Sequence, residues 1–323
     1  MASQKLLVVT ALVLSQFACA AIAQDDYPSR PLRIVVGFTP GGGPDLTARH
    51  IAQRLTEALR QQVIVENRAG AGGTVAAALV ARSPADGYTL LSVSSAHAAA
   101  AAIYPKLQYD TLKDLAGITQ TGSSKYVLVV PPALGVKSVN DLLAVARARP
   151  GQINFSSAGT GSGTHFAAEI FKAMAAIDVV HVPYKGIPEA LGETLAGRVQ
   201  FFMAPIANAV NLVRDGRLVG LGVSSRSREP LLPDLATIDE AGVAGYEQEL
   251  WFGLLAPAAL PRPIMARLNG EIGRILSDSD TRARWAPLGI EPRPTAPEEF
   301  DGLVARELAL YTRIARAANI TSQ

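Results

Sequence analysis

Cysteine is almost missing from this chain: there is 1 in 323 residues, Cys19, and it falls inside an N-terminal segment with the pattern of an export leader. A mature protein without it has no disulfide, thiolate nucleophile or cysteine metal ligand. An excess of one charge is also missing. Lys+Arg total 30 against 28 Asp+Glu, for a net charge of +2, and the basic residues are scattered. That excludes a track for a nucleic-acid backbone. Aromatic residues make up 6%, too few for a base-stacking platform. Beyond the leader no apolar run approaches the roughly 20 residues a membrane span needs. No Gly-Lys pair marks a phosphate-binding P-loop, and no Gly-x-Ser-x-Gly elbow is present. The histidines His50, His97, His165 and His181 lie far apart, without the helical spacing of a zinc hydrolase. No metal and no cofactor is expected.

The leader itself has three parts. Lys5 gives a positive start, Leu6 to Leu14 an apolar core, and Ala21-Ile22-Ala23 a small-x-small cleavage site before Gln24. Residues 1–23 therefore read as a cleaved signal peptide. Gln16 and Phe17 argue against lipid attachment at Cys19. Without disulfides, an exported protein must rest on a large core, which 49% hydrophobic residues can supply.

Short β-rich runs alternate with helical patterns. Leu32 to Phe38, Val63 to Glu66, Tyr88 to Val93, Tyr126 to Val130, Ile153 to Phe155, Val179 to Tyr184, Val199 to Met203 and Leu218 to Val223 read as strands. Many are apolar without alternation, as when helices cover both faces of a sheet. The fold class is α/β with mainly parallel sheets flanked by helices. Length favours two lobes. Two proline-ended apolar runs, Tyr126 to Pro132 and Trp251 to Pro257, are expected where the chain passes between them. Lobe 1 would then be discontinuous, residues 24–123 plus about 250–323, and lobe 2 would span about 124–249.

Candidate ligand groups sit in loops after the strands. Phe38-Thr39-Pro40-Gly41-Gly42-Gly43-Pro44-Asp45 links an apolar run to a helix carrying Ala48, Ile51, Ala52, Leu55 and Leu59 on one face. Glycines permit close approach, and a helix start leaves free N–H groups, so main chain can hold an anion here. Its plainer reading is a strand-to-helix turn capped by Asp45. Similar small, hydroxylated loops follow at Ala71-Gly72-Gly73, Ser94-Ser95 with His97, and Ser156-Ser157-Ala158-Gly159-Thr160-Gly161-Ser162, before His165. Ligands of parallel α/β sheets bind beyond the strands' carboxyl ends, and these loops offer N–H and O–H donors there. Tyr184 and Lys185 end another strand; a solvated turn lysine is the plainer reading.

Taken in order, Tyr27-Pro28-Ser29-Arg30-Pro31, Gly41-Gly42-Gly43-Pro44-Asp45, Val65-Glu66-Asn67-Arg68, Gly70-Ala71-Gly72-Gly73, Pro84 to Leu90, His181 to Gly186 and Trp251 to Pro257 resemble one family along the whole mature chain. It is the Bug-type substrate-binding receptors of tripartite tricarboxylate transporters. The resemblance implies a periplasmic, monomeric, two-lobed binding protein of type II that is not an enzyme. It would close over a small organic acid and deliver it to a permease of one large and one small membrane subunit, or present itself to a sensor protein. It implies ligand loops at Phe38 to Asp45, Ala71 to Gly73, Ser94 to His97, Ser156 to Thr164, Tyr184 to Gly186 and Met203 to Pro205. Where many members carry an acidic residue and an asparagine, this chain has Ala204 and Pro205, which favours a plain carboxylate over an amino acid. The competing reading is an exported hydrolase or transferase using a serine of the Ser156 loop with His165.

Overall fold

The computed structural model describes residues 27–321, so the leader read over residues 1–23 lies outside it. Lobe 1 begins with β1 (Leu32–Val36), α1 (Gly43–Leu59), β2 (Val63–Asn67), α2 (Thr74–Ala81), β3 (Thr89–Ser94) and α3 (Ala96–Ile103). The 16-residue β4 (Leu115–Val130) then enters lobe 2. That lobe contains α4 (Val139–Ala148), β5 (Asn154–Ser157), α5 (Gly163–Ala175), β6 (Val180–Pro183), α6 (Ile187–Leu195), β7 (Phe201–Pro205), α7 (Ile206–Arg214) and β8 (Val219–Val223). The chain returns through β9 (Glu249–Pro257) to α8 (Arg262–Ser277), α9 (Ser279–Trp285), β10 (Glu291–Pro292) and α10 (Pro297–Ala317).

The strand order is β2-β1-β3-β9-β4-β7-β5-β6, with β8 and β10 also paired to β4. Both flanks are parallel: β1 with β2 and β3, and β5 with β6 and β7. The middle is antiparallel, because β4 leaves one lobe as β9 comes back. The first part of β4 pairs with β9 as far as Lys125↔Glu249. From Tyr126↔Pro205 onward it pairs with β7, and from Val127↔Val223 with β8. The change of partner therefore falls between Lys125 and Tyr126. Pro257 does not mark the return, since it pairs with Leu115 at the far end of β9 from Glu249.

Helical spacing explains how the helices dock. In α1 the face Ala48, Ile51, Ala52, Leu55 and Leu59 is buried. Fully burying one such leucine stabilises the fold by roughly 1.5–3 kcal/mol. Ser138 starts α4 by accepting the Asp141 N–H at 3.1 Å. On the return side Phe300 of α10 is fully buried against Gly253 of β9, where a side chain would run into its ring. Replacing Gly253 would lift α10 off the crossing strand.

Candidate functional site

The first loop is rigidified by one carboxylate. Asp45, three residues into α1 and 2% exposed, accepts the Gly41 N–H at 2.9 Å, Arg49 Nε at 3.0 Å and Asn67 Nδ2 at 2.8 Å. Burial would raise its pKa, but the bonds from Arg49, Gly41 and Asn67 hold it below the usual carboxylate value. Its charge is thus consumed within the loop. Gly42, not Asp45, occupies the cap position of α1, and no side chain caps that end. Thr39, Pro40 and Gly41 are exposed, while Phe38 packs beside Gly73. A Cβ on Gly37 would come within 2.8 Å of the Gly73 Cα, so the first loop and the Ala71–Gly73 turn nearly touch.

At the end of β3, Ser95 is fully buried; its N–H donates to the Trp251 carbonyl at 3.1 Å. Ser94 Oγ accepts the Ala96 N–H at 3.4 Å. His97 turns inward, stacked on Tyr109 at 6.0 Å, and burial pushes its pKa down to about 4.

In lobe 2 the hydroxyls of Ser156, Ser157, Ser162 and Thr164 are engaged within the lobe, by neighbouring elements or by the loop itself. Ser156 Oγ bonds Thr194 Oγ1 at 3.0 Å, and Ser157 Oγ bonds His181 Nε2 at 2.6 Å. Ser157 Oγ also accepts the Gly159 N–H, Thr164 Oγ1 the Ala158 N–H, and Ser162 Oγ the His165 N–H. His165 Nδ1 accepts the Gly161 N–H at 3.1 Å, which makes Nε2 the protonated nitrogen of the neutral ring. Its outer side opens on a groove of about 450 Å³ with Lys172, Asp178 and Asn319. The pairing of a loop serine with His165 is therefore not formed; the serine–histidine contact is Ser157 with His181, and Ser157 is fully buried.

Tyr184 and Lys185 flank this loop. The Tyr184 N–H donates to the Ser157 carbonyl at 3.0 Å, and its half-buried side chain packs against the core cluster that includes Val127, Val129, Phe202 and Ala204. Lys185 is exposed and makes no ion pair among the described residues. Ala204 and Pro205 are buried at the end of β7, opposite Val127 and Tyr126.

The two lobes meet where these strand ends face each other. Gly161, with φ +79°, lies against Ile103 of α3, so a Cβ there would strike the Ile103 side chain. Gly163 lies beside the Tyr126 hydroxyl, Ser95 and Leu250. Ser95, Gly163 and Pro205 thus lie around Tyr126, with Gly161 in the adjoining turn against Ile103. The first loop lies on the lobe 1 side, with Gly43 against Phe252, the partner of Ser94. His97 and His165 support the loops from within. Sequence reasoning placed Tyr126 in a strand and did not count it, Ile103 or Leu250 among the candidate residues; only the pairing of β4 with β7 brings Tyr126 beside these loops. Among the described residues no group of three His, Asp or Glu is placed to hold a metal, and no helix is long and apolar enough to cross a membrane.

Residues 47–320 match the model of the tripartite tricarboxylate transporter family receptor, TctC. The chain belongs to this family. It is 32% identical over 315 residues to protein BugT of Bordetella pertussis, spanning 97% of each chain. Among solved structures it is similar to R. palustris Rpa4515 with adipate, at TM-score 0.83 and 34% identity, covering 92% of this chain and 99% of that one. It is also similar to MatC from Rhodopseudomonas palustris with bound malate, at TM-score 0.79 and 32% identity, covering 89% and 99%. The receptor is thus a Bug-type substrate-binding protein with a two-lobed periplasmic-binding-protein fold.

Proposed function

We propose that this receptor captures a small organic carboxylate in the periplasm and delivers it to the large and small membrane subunits of a tripartite tricarboxylate-type permease. It acts as a monomer, by stoichiometric binding and without turnover, after its leader is cleaved behind Ala23. The lobes divide near residues 125 and 249, where β4 changes partner and β9 begins. The observation that carries the reading is that the starts of α1 and α5 border this cleft while Asp45, the buried acid of the first loop, is neutralised by Arg49 and the donors around it. Free N–H groups and the positive helix end favour an anion. Two similar structures, one with adipate and one with bound malate, support the ligand class. No free acid stands at Ala204 or Pro205 to answer a ligand ammonium.

A thermal-shift screen of mono-, di- and tricarboxylates, with matching amino acids, tests this. A ligand that binds only the native state raises the melting temperature with concentration. Plain carboxylates should shift it and their amino counterparts should not. No shift with any acid, confirmed by calorimetry, would overturn the reading.

A further inference from the structure

Tyr126 is the first residue of β4 to leave β9 for β7. Its ring is 2% exposed, and its hydroxyl ends against Gly163, the first residue of α5. Any side chain at Gly163 would collide with that hydroxyl, and a Cβ there would lie 3.2 Å from Ser95 Oγ. The α5 cap, Ser162, serves the His165 N–H. The N–H groups of Gly163 and Thr164 are left without acceptors among the described residues. Ser95 Oγ is fully buried and makes no hydrogen bond of normal geometry, although the Tyr126 and Tyr311 hydroxyls are near it. A buried hydroxyl without a partner is costly unless something completes it.

We propose that Ser95 Oγ, the Tyr126 hydroxyl and the free N–H groups at the start of α5 form the deep end of the ligand site, where they grip one carboxylate of the bound acid. This rests on the reading of the protein as a carboxylate receptor. Tyr126 is then a specificity-determining residue, because its ring closes the inner end of the cleft and its hydroxyl selects an acceptor. The donors come from lobe 1, the crossing strand and lobe 2, so only the closed form assembles all of them. Burial raises the Tyr126 pKa, which keeps the hydroxyl protonated and able to donate.

Isothermal titration with succinate, malate and adipate on wild type, Tyr126→Phe and Ser95→Ala tests the proposal, with Tyr88→Phe as a remote hydroxyl control. A hydrogen bond to a charged group carries roughly a 10–100-fold share of affinity. Tyr126→Phe and Ser95→Ala should each lose about that factor for every acid that binds wild type, with melting curves showing a folded protein and Tyr88→Phe unchanged. Wild-type affinity in both variants would overturn the assignment and leave the receptor reading standing. If wild type itself binds none of the carboxylates, including those of the wider screen, both fall together.

Discussion

The imidazoles of His165 and His181 stack face to face, 3.7 Å between centroids and 12° from parallel, beneath the loop that carries Gly161. Burial, with His181 and Lys172 nearby, pushes His165 from the usual 6.5 down to about 3. Burial and Lys172 push His181 to about 4. The acid beside them, Glu169, is itself buried, 3.8 Å from His165 Nε2, and burial raises its pKa. Asp178 lines the same outer groove. Both rings are therefore neutral in the native state.

That neutrality sets a pH dependence. Above about pH 6.5 the pair is neutral folded or unfolded and adds no pH slope. Between about 6.5 and 4 the unfolded chain takes up protons that the folded one refuses, so stability falls as pH falls. Each unit of depression is worth ~1.4 kcal/mol, giving a loss on the order of a few kcal/mol for the coupled pair. Urea denaturation from pH 7 to 4 measures the slope. His165→Asn keeps an acceptor near Nδ1 for Gly161 and should flatten it. An unchanged slope would show that the stability loss arises elsewhere.

Asp45 should behave as the anchor of the first loop. Asp45→Ala strips partners from the Gly41 N–H and from the Asn67 and Arg49 side chains. Gly41 and Arg49 are open to water, so the cost is that of the lost hydrogen bonds, about 0.5–1.5 kcal/mol each and at most a few kcal/mol together. Urea melts should show that loss, and titration should show weaker ligand binding, because Gly41–Gly43 are no longer held. Asp45→Asn, which keeps one acceptor, should lie between. Equal stability of all three proteins would refute the anchoring role.

Much of the loop arrangement could be read from residue types, and what could not has physical causes. Glycine followed by an amphipathic helix gave the loops at Gly41 and Gly161, because that pattern leaves few other backbone solutions. The first part of β4, Leu115 to Lys125, escaped notice because Thr119, Thr121, Ser123 and Ser124 are buried hydroxyls with no alternation. Thr119 is tolerated there because Thr295, far along the chain, donates its N–H to Thr119 Oγ1 at 2.9 Å. Histidines near glycine loops resemble ligand contacts in sequence. In the structure both turn inward, His97 stacked on Tyr109 and His165 on His181, an orientation no local pattern shows. Pairing of β4 with β7 is long-range information that no local pattern carries.

At the change of partner, Lys125 and Glu249 form an ion pair across the crossing strands, joined by Arg293 at 3.5 Å from Glu249. Lys125 is 11% exposed on its side chain, so the pair is mostly sheltered from water. Lys125→Met should cost about 1–3 kcal/mol, below the 3–5 kcal/mol of a fully buried pair, since Arg293 still answers Glu249. Lys125→Met with Glu249→Leu should recover much of it, as no sheltered lone charge remains: Arg293 is half exposed and keeps Glu291 at 3.6 Å. Chemical denaturation of the two proteins checks this; a double variant worse than the single one would contradict it.

Gly161 and Ile103 test lobe closure directly. Gly161 sits at φ +79°, where other L-residues are strained by roughly 1–2 kcal/mol, and its Cα faces the Ile103 side chain across the cleft. Gly42 is different: its φ is −77°, and a Cβ there would meet nothing closer than 3.8 Å. Gly161→Ala should therefore weaken binding about tenfold or more by holding the lobes apart, while Gly42→Ala folds normally and changes affinity only by what it takes from the ligand. Ile103 ends in a flexible group, so Ile103→Ala should make room and restore part of the affinity to the Gly161→Ala background. The recovered part is the steric share and the remainder is backbone strain. Calorimetric titration of the four-protein cycle reads both, and small-angle scattering with and without ligand shows whether closure is what was lost. Strictly additive effects, with Ile103→Ala giving no recovery, would mean that the two residues do not meet in the ligand-bound form.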